Sequence, residues 1–132
     1  MACSRLSLLL LVLASLTVAQ AQIRLYRLRA SNLQADMGTV DGYVKVFCGS
    51  AYLGKTAAHY NNVSPWWGEE FSYFKAKKND VLRLEVYNQN APFDDLLGVC
   101  QTRLRLGTHG YACNLKKGGT LIYNYTLSTS HQ

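Results

Sequence analysis

Six oxygen-bearing side chains crowd into two short stretches of this sequence. Asp36 and Asp41 lie within residues 33–41, and Asn88, Asn90, Asp94 and Asp95 within residues 88–95. Four of the 8 acidic residues therefore sit in two places, in a chain where 14 Lys and Arg otherwise dominate. Like charges crowded together cost energy unless a cation or a basic partner offsets them. Carboxylate and amide oxygens with no His or Cys among them suit a hard cation, calcium before zinc. Asp and Asn are equally the ordinary residues of turns, because their side chains bond to nearby backbone. From the residues alone, both readings stand.

Other chemistry finds less support. His59, His109 and His131 are scattered, with no Cys or His at zinc-ligand spacing. The sequence has no Gly-x-Ser-x-Gly, no His-Glu-x-x-His and no phosphate-cradling glycine loop. Asp94 and Asp95 are the acid–base candidates, but they lie in a stretch better read as cation ligands. A binding protein is expected, not an enzyme, with no small-molecule substrate. The longest basic cluster, Lys75-Ala76-Lys77-Lys78, would favour an anionic surface but is too short to predict nucleic-acid binding. Two N-glycosylation patterns occur, at Asn62 and Asn124. Pro65 follows the first pattern directly, and Asn124 points away from the apolar face of its strand, so Asn124 is the expected acceptor.

These residues need elements to hold them. At 132 residues and 48% apolar content the chain suits one packed domain. Residues 1–21 stand apart: Arg5 precedes an almost wholly apolar run over 6–19, and Ala19-Gln20-Ala21 follows. That run of about 14 residues falls short of the ~20 needed to span a bilayer and reads as a signal peptide. Cleavage after Ala21 would leave 132 − 21 = 111 residues, a charge of 13 − 8 = +5 and 4 − 1 = 3 cysteines. Three cysteines in an oxidising compartment mean one disulfide plus a free thiol, or an intermolecular bond.

Strand patterns recur at short spacing after that point. Residues 81–87 put Leu82, Leu84 and Val86 on one face, and 121–127 put Leu121, Tyr123, Tyr125 and Leu127 on one face. Residues 43–48 alternate too, with Val44 and Val46 sharing a side with Cys48. Shorter candidates are 51–56, 71–74, 97–104 and 110–114. Residues 23–30 are apolar enough, though Arg27 spoils the alternation. About eight strands and no amphipathic helix predict an all-β antiparallel sandwich.

Against that framework three motifs carry a resemblance. Residues 36–47, Asp-Met-Gly-Thr-Val-Asp-Gly-Tyr-Val-Lys-Val-Phe, resemble the first calcium loop and following strand of a C2 domain. Residues 61–71, Asn-Asn-Val-Ser-Pro-Trp-Trp-Gly-Glu-Glu-Phe, are similar to its second loop. Residues 86–90 with Asp94-Asp95-Leu96-Leu97-Gly98 are similar to the third. The order is right, and the perforin type of C2 domain is the best match in pattern. That resemblance implies an eight-stranded sandwich of type II (permuted) topology over residues 22–132. It also implies a disulfide between Cys100 and Cys113, across a turn expected at 107–110.

The resemblance further implies calcium held by Asp36 and Asp41 from the first loop and Asn88, Asn90, Asp94 and Asp95 from the third. Asn88 and Asn90 stand where the family carries aspartates, and the first loop is one residue shorter than usual. Affinity follows charge count, so one weak site is expected, in the range of about 10⁻⁴–10⁻³ M. Met37, Trp66 and Phe93 are the implied membrane-inserting tips, and Trp67 the implied core aromatic. The function so implied is a secreted module that binds phospholipid membranes through calcium, in cytolysis or immune defence. It would be peripheral on the membrane and monomeric, or linked as a dimer through Cys48. The competing expectation is a calcium-independent secreted module that binds glycans or proteins, or dimerises.

Overall fold

The computed structural model describes residues 20–129, except position 91. Every regular element among them is a strand: β1 (Ala21–Ser31), β2 (Gly42–Cys48), β3 (Ala51–Lys55), β4 (Trp66–Trp67), β5 (Phe71–Ala76), β6 (Val81–Asn88), β7 (Asp95–Arg103), β8 (Gly107–Asn114) and β9 (Thr120–Thr129). One sheet runs β3-β2-β6-β7; the other runs β4-β1-β9-β8, with β5 also on β1. All pairings are antiparallel. Alternation sets the two inner faces. Val44, Val46, Leu82, Leu84 and Val86 point inward from one sheet, and Ile23, Leu25, Tyr125 and Leu127 from the other. Each such aliphatic side chain contributes roughly 1.5–3 kcal/mol by leaving water.

Nine strands replace the eight expected, for a local reason. Arg27 takes a positive φ of 54°, and the β1–β9 register shifts between Tyr26 and Arg29. This bulge explains why Arg27 breaks the apolar alternation: the extra residue resets the phase, so Leu25 and Leu28 are both buried. On the other side of β1, Leu28 pairs with Trp67 and Leu25 with Phe71. The break at residues 68–70 therefore faces the bulge, and β4 and β5 are two pieces of one edge strand. Counted that way, the sandwich has eight.

The expected turn at 107–110 is a second correction. Those residues begin β8, and the chain reverses over residues 104–106. Moreover, β7 and β8 are the outer strands of different sheets. Cys100 and Cys113 are bonded, with α-carbons 6.1 Å apart, so the disulfide ties one sheet to the other instead of closing a hairpin. Cys48 is a free thiol, 1% exposed. Burial, with Asp80 adding to it, pushes that thiol up to about 11. Such burial removes the exposure that a Cys48-linked dimer needs. No helix among the described residues is long and apolar enough to cross a membrane. The expected signal peptide lies almost wholly outside the described residues.

Candidate functional site

Backbone hydrogen bonds gather three loops at one end of the sandwich: loop 1 (32–41), loop 2 (56–65) and loop 3 (89–94). Leu33 N donates to the Val63 carbonyl at 2.7 Å, and Asn62 N to that of Val40 at 3.0 Å. Gln89 N donates to the Asp41 carbonyl at 2.8 Å. Trp67 underlies loops 1 and 2: it is 2% exposed, and its Nε1 donates to the Gly42 carbonyl at 3.1 Å. A Cβ on Gly42 would stand 2.9 Å from Leu33 Cδ1, so the buried Leu33 side chain would have to shift to accept one.

The β8–β9 turn joins the same end. Leu115 N donates to the Gly119 carbonyl at 2.9 Å, and Lys117 N to that of Leu97 at 3.0 Å. Gly119 has φ +82°, and a Cβ on it would stand 2.5 Å from the Asn32 carbonyl oxygen. Only glycine lets the turn lie this close to loop 1. The result is a placed cation. Lys117 Nζ lies 2.7 Å from Asp36 Oδ2, and 2.7 and 2.9 Å from the two oxygens of Asp95. Its bonds to Asp36, then Asp95, hold its pKa above the usual lysine value.

The other expected ligands are placed differently. Asp41 Oδ1 accepts the backbone N–H of Asn61 at 2.8 Å, bracing loop 2. Asp94 accepts a hydrogen bond from the Tyr43 hydroxyl. Burial first, then that carboxylate, raises the Tyr43 phenol well above its ordinary value. Asn90 is exposed. Asn88 departs furthest from the expectation. It is fully buried; its Oδ1 accepts Asp41 N–H at 2.7 Å, and its Nδ2 donates to the Thr39 carbonyl at 3.5 Å. Its oxygen is committed to shaping loop 1. Among the described residues no group of three or more His, Cys, Asp or Glu is arranged to hold a metal. The donor set nonetheless suits a hard cation, and Asp36 of loop 1 and Asp95 at the start of β7 converge on a positive charge.

Exposed apolar side chains surround this end. Met37 is 84% and Phe93 79% exposed. Trp66, expected as a loop tip, lies instead in the edge strand β4: it is 63% exposed, pairs with Arg29 of β1 and stacks with that guanidinium 5.0 Å from the ring centroid. Within loop 2 itself the exposed large apolar residues are Tyr60 and Val63, which no motif in the sequence singles out. Lys117 is not singled out either, though the Gly118-Gly119 doublet after it marks a tight turn. Asn124 is half-buried in β9, and its Oδ1 accepts from Arg29 Nη1 at 3.4 Å.

The family model described as the C2 domain matches residues 21–119. The chain belongs to the C2 domain family. Perforin-1 of Homo sapiens is 34% identical over 102 residues, covering 74% of this chain and 18% of the human protein. The chain thus spans about a fifth of the length of the curated relatives it matches. A solved C2 domain is 59% identical with a TM-score of 0.78, covering 82% of this chain and 98% of that one. The calcium-bound C2A and C2B domains of Extended-Synaptotagmin 2 share the fold at TM-score 0.73 and 21% identity, over 97% of this chain and 49% of that one.

Proposed function

We propose that this C2 domain is a secreted, non-catalytic module that binds phospholipid membranes when calcium is present, through its three-loop end. One observation carries the reading: carboxylates from loop 1 and from the first residue of β7, directly after loop 3, converge on a single positive charge at the end that carries exposed apolar tips. Asp36 and Asp95 would hold the ion, with Asp41, Asp94 and Asn90 in the adjoining loop segments. Bound calcium supplies coordination positions for phosphate oxygens and cancels the carboxylate field that repels lipid phosphates. The chain's own residues do the rest. Asn88 and Asp41 fix the shapes of loops 1 and 2. Trp67 sits as a rigid floor beneath them. Met37 and Phe93, with Tyr60 and Val63 from loop 2, enter the headgroup region. The phenol ring of Tyr60 suits that interface because it joins an apolar body to a polar tip.

With two asparagines where the family has aspartates, the charge count supports one ion of modest affinity. Asn124 is proposed as the glycan acceptor, on the outer face of β9 between β1 and β8. A role in cytolysis or immune defence follows from the likeness to perforin-1 alone. One observation favours a second reading, a calcium-independent interaction module: Lys117 already bridges Asp36 and Asp95 and offsets part of their charge. Co-sedimentation with anionic vesicles, first in calcium and then in chelator, separates the two readings.

A further inference from the structure

We infer that Lys117 is a tethered competitor for the calcium site: its ammonium occupies the space between Asp36 and Asp95, and it has to swing out before the ion enters. The inference rests on the calcium reading above and adds a residue that sets its affinity.

The placement is built, not incidental. Lys117 N is bonded to the Leu97 carbonyl at 3.0 Å, and Gly118 N to that of Leu115 at 3.0 Å, so the backbone beneath the side chain is fixed. Gly118 and Gly119 have φ of +113° and +82°, values that side chains disfavour, and both pack against loop 1 at Gln34 and Asn32. The ammonium is therefore delivered to loop 1 and the start of β7 by a turn that only glycines allow. An ammonium offers three donors, and here it uses them on oxygens of both carboxylates.

Calcium needs those same oxygens at about 2.3–2.6 Å. Two cations cannot share them, since the ammonium already lies 2.7 Å from an oxygen of each carboxylate. Lysine has a flexible four-carbon stem, and this one is 30% exposed, so it can rotate into water without moving the turn. The need to displace it lowers apparent calcium affinity, and the seated ammonium offsets part of the carboxylate charge and ties loop 1 to the start of β7 when calcium is low. Exposed ion pairs are weak, so breaking two of them reduces affinity by about three- to tenfold.

Calorimetric titration of calcium chloride into the purified wild type, K117M and K116M tests this. Lys116 lies on the same turn and forms no ion pair with either carboxylate, so K116M removes the same charge without the contacts. K117M is expected to bind calcium about three- to tenfold more tightly, and K116M within about twofold of wild type. Unchanged or weaker binding by K117M, or an equal gain in K116M, would overturn the competitor role while leaving the calcium site standing. No binding by any of the three at millimolar calcium would overturn the calcium site, and the competitor with it. A second measurement needs no variant: amine acylation of the wild type, read by mass spectrometry, with and without calcium. Calcium should increase labelling at Lys117 several-fold and leave Lys116 unchanged; no increase at Lys117 refutes the displacement.

Discussion

Asn88 and Asn90 are alike in type, separated by one residue, and indistinguishable as ligands in the sequence, yet their replacement by alanine should have opposite consequences. Asn88 is 0% exposed, and its Oδ1 is the acceptor for Asp41 N–H at 2.7 Å. Asn88→Ala strands that donor, which costs about 1–3 kcal/mol, and leaves a void where the amide stood. The sum is about 2–4 kcal/mol, a fall in Tm of roughly 10–15 °C for a domain of this size. Asn90 is exposed. Asn90→Ala should change stability by no more than about 0.5 kcal/mol and act only on calcium affinity. Urea denaturation of both variants in chelator isolates the stability effect from any ion. If Asn88→Ala unfolds within about 0.5 kcal/mol of wild type, or Asn90→Ala falls as far as Asn88→Ala, then Asn88 does not shape loop 1 and its reassignment from ligand to loop brace is wrong.

Replacing Cys100 and Cys113 together by alanine frees a loop with 13 residues of sequence separation; chain entropy puts the loss at about 3 kcal/mol, read by thermal denaturation, and a loss below about 1 kcal/mol would refute the stapling of the two sheets. A small thiol reagent at neutral pH should leave Cys48 unlabelled in the native protein and label it after denaturation, since Cys48 is buried. Because its folded pKa is raised to about 11 while an unfolded thiol titrates near ~8.5, the stability it contributes is complete below that lower value and is lost as pH rises through the window. Stability that stays flat from about pH 8.5 to 11 would contradict the burial. Met37→Ser with Phe93→Ser should leave calcium affinity within about twofold but release the protein from vesicles, as read by co-sedimentation. Full vesicle binding by this pair, collapsing in high salt, would show an electrostatic contact in place of apolar anchoring.

The sandwich was legible because β2, β6 and β9 alternate cleanly, and alternation in a half-buried sheet follows directly from the pleat. β1 was harder to read. Arg27 breaks its period, and only the pairing partners reveal a bulge that also splits the neighbouring edge strand. The turn near Cys113 was misplaced because Gly107 and Gly110 look like turn formers, whereas the edge strand β8 uses them. At the site, residue type singled out two stretches that the fold brings to one end, but not each oxygen's partner. Asn88 and Asn90 differ in burial, which depends on strand length, and Asn88 is the last residue of β6. Lys117 lies 81 residues from Asp36 and 22 from Asp95, so no local pattern could announce it. Trp66 and Trp67 separated as a strand demands, one outward and one inward.

In the proposed function calcium couples the three-loop end to a lipid surface. The most direct test of that coupling is co-sedimentation of the purified protein with anionic phospholipid vesicles, in millimolar calcium and then in excess chelator, with Asp36→Asn plus Asp95→Asn run beside the wild type. The wild type should pellet with vesicles in calcium and return to the supernatant on chelation, and the double variant should stay in solution in both. Equal pelleting of the wild type in calcium and in chelator would contradict the account.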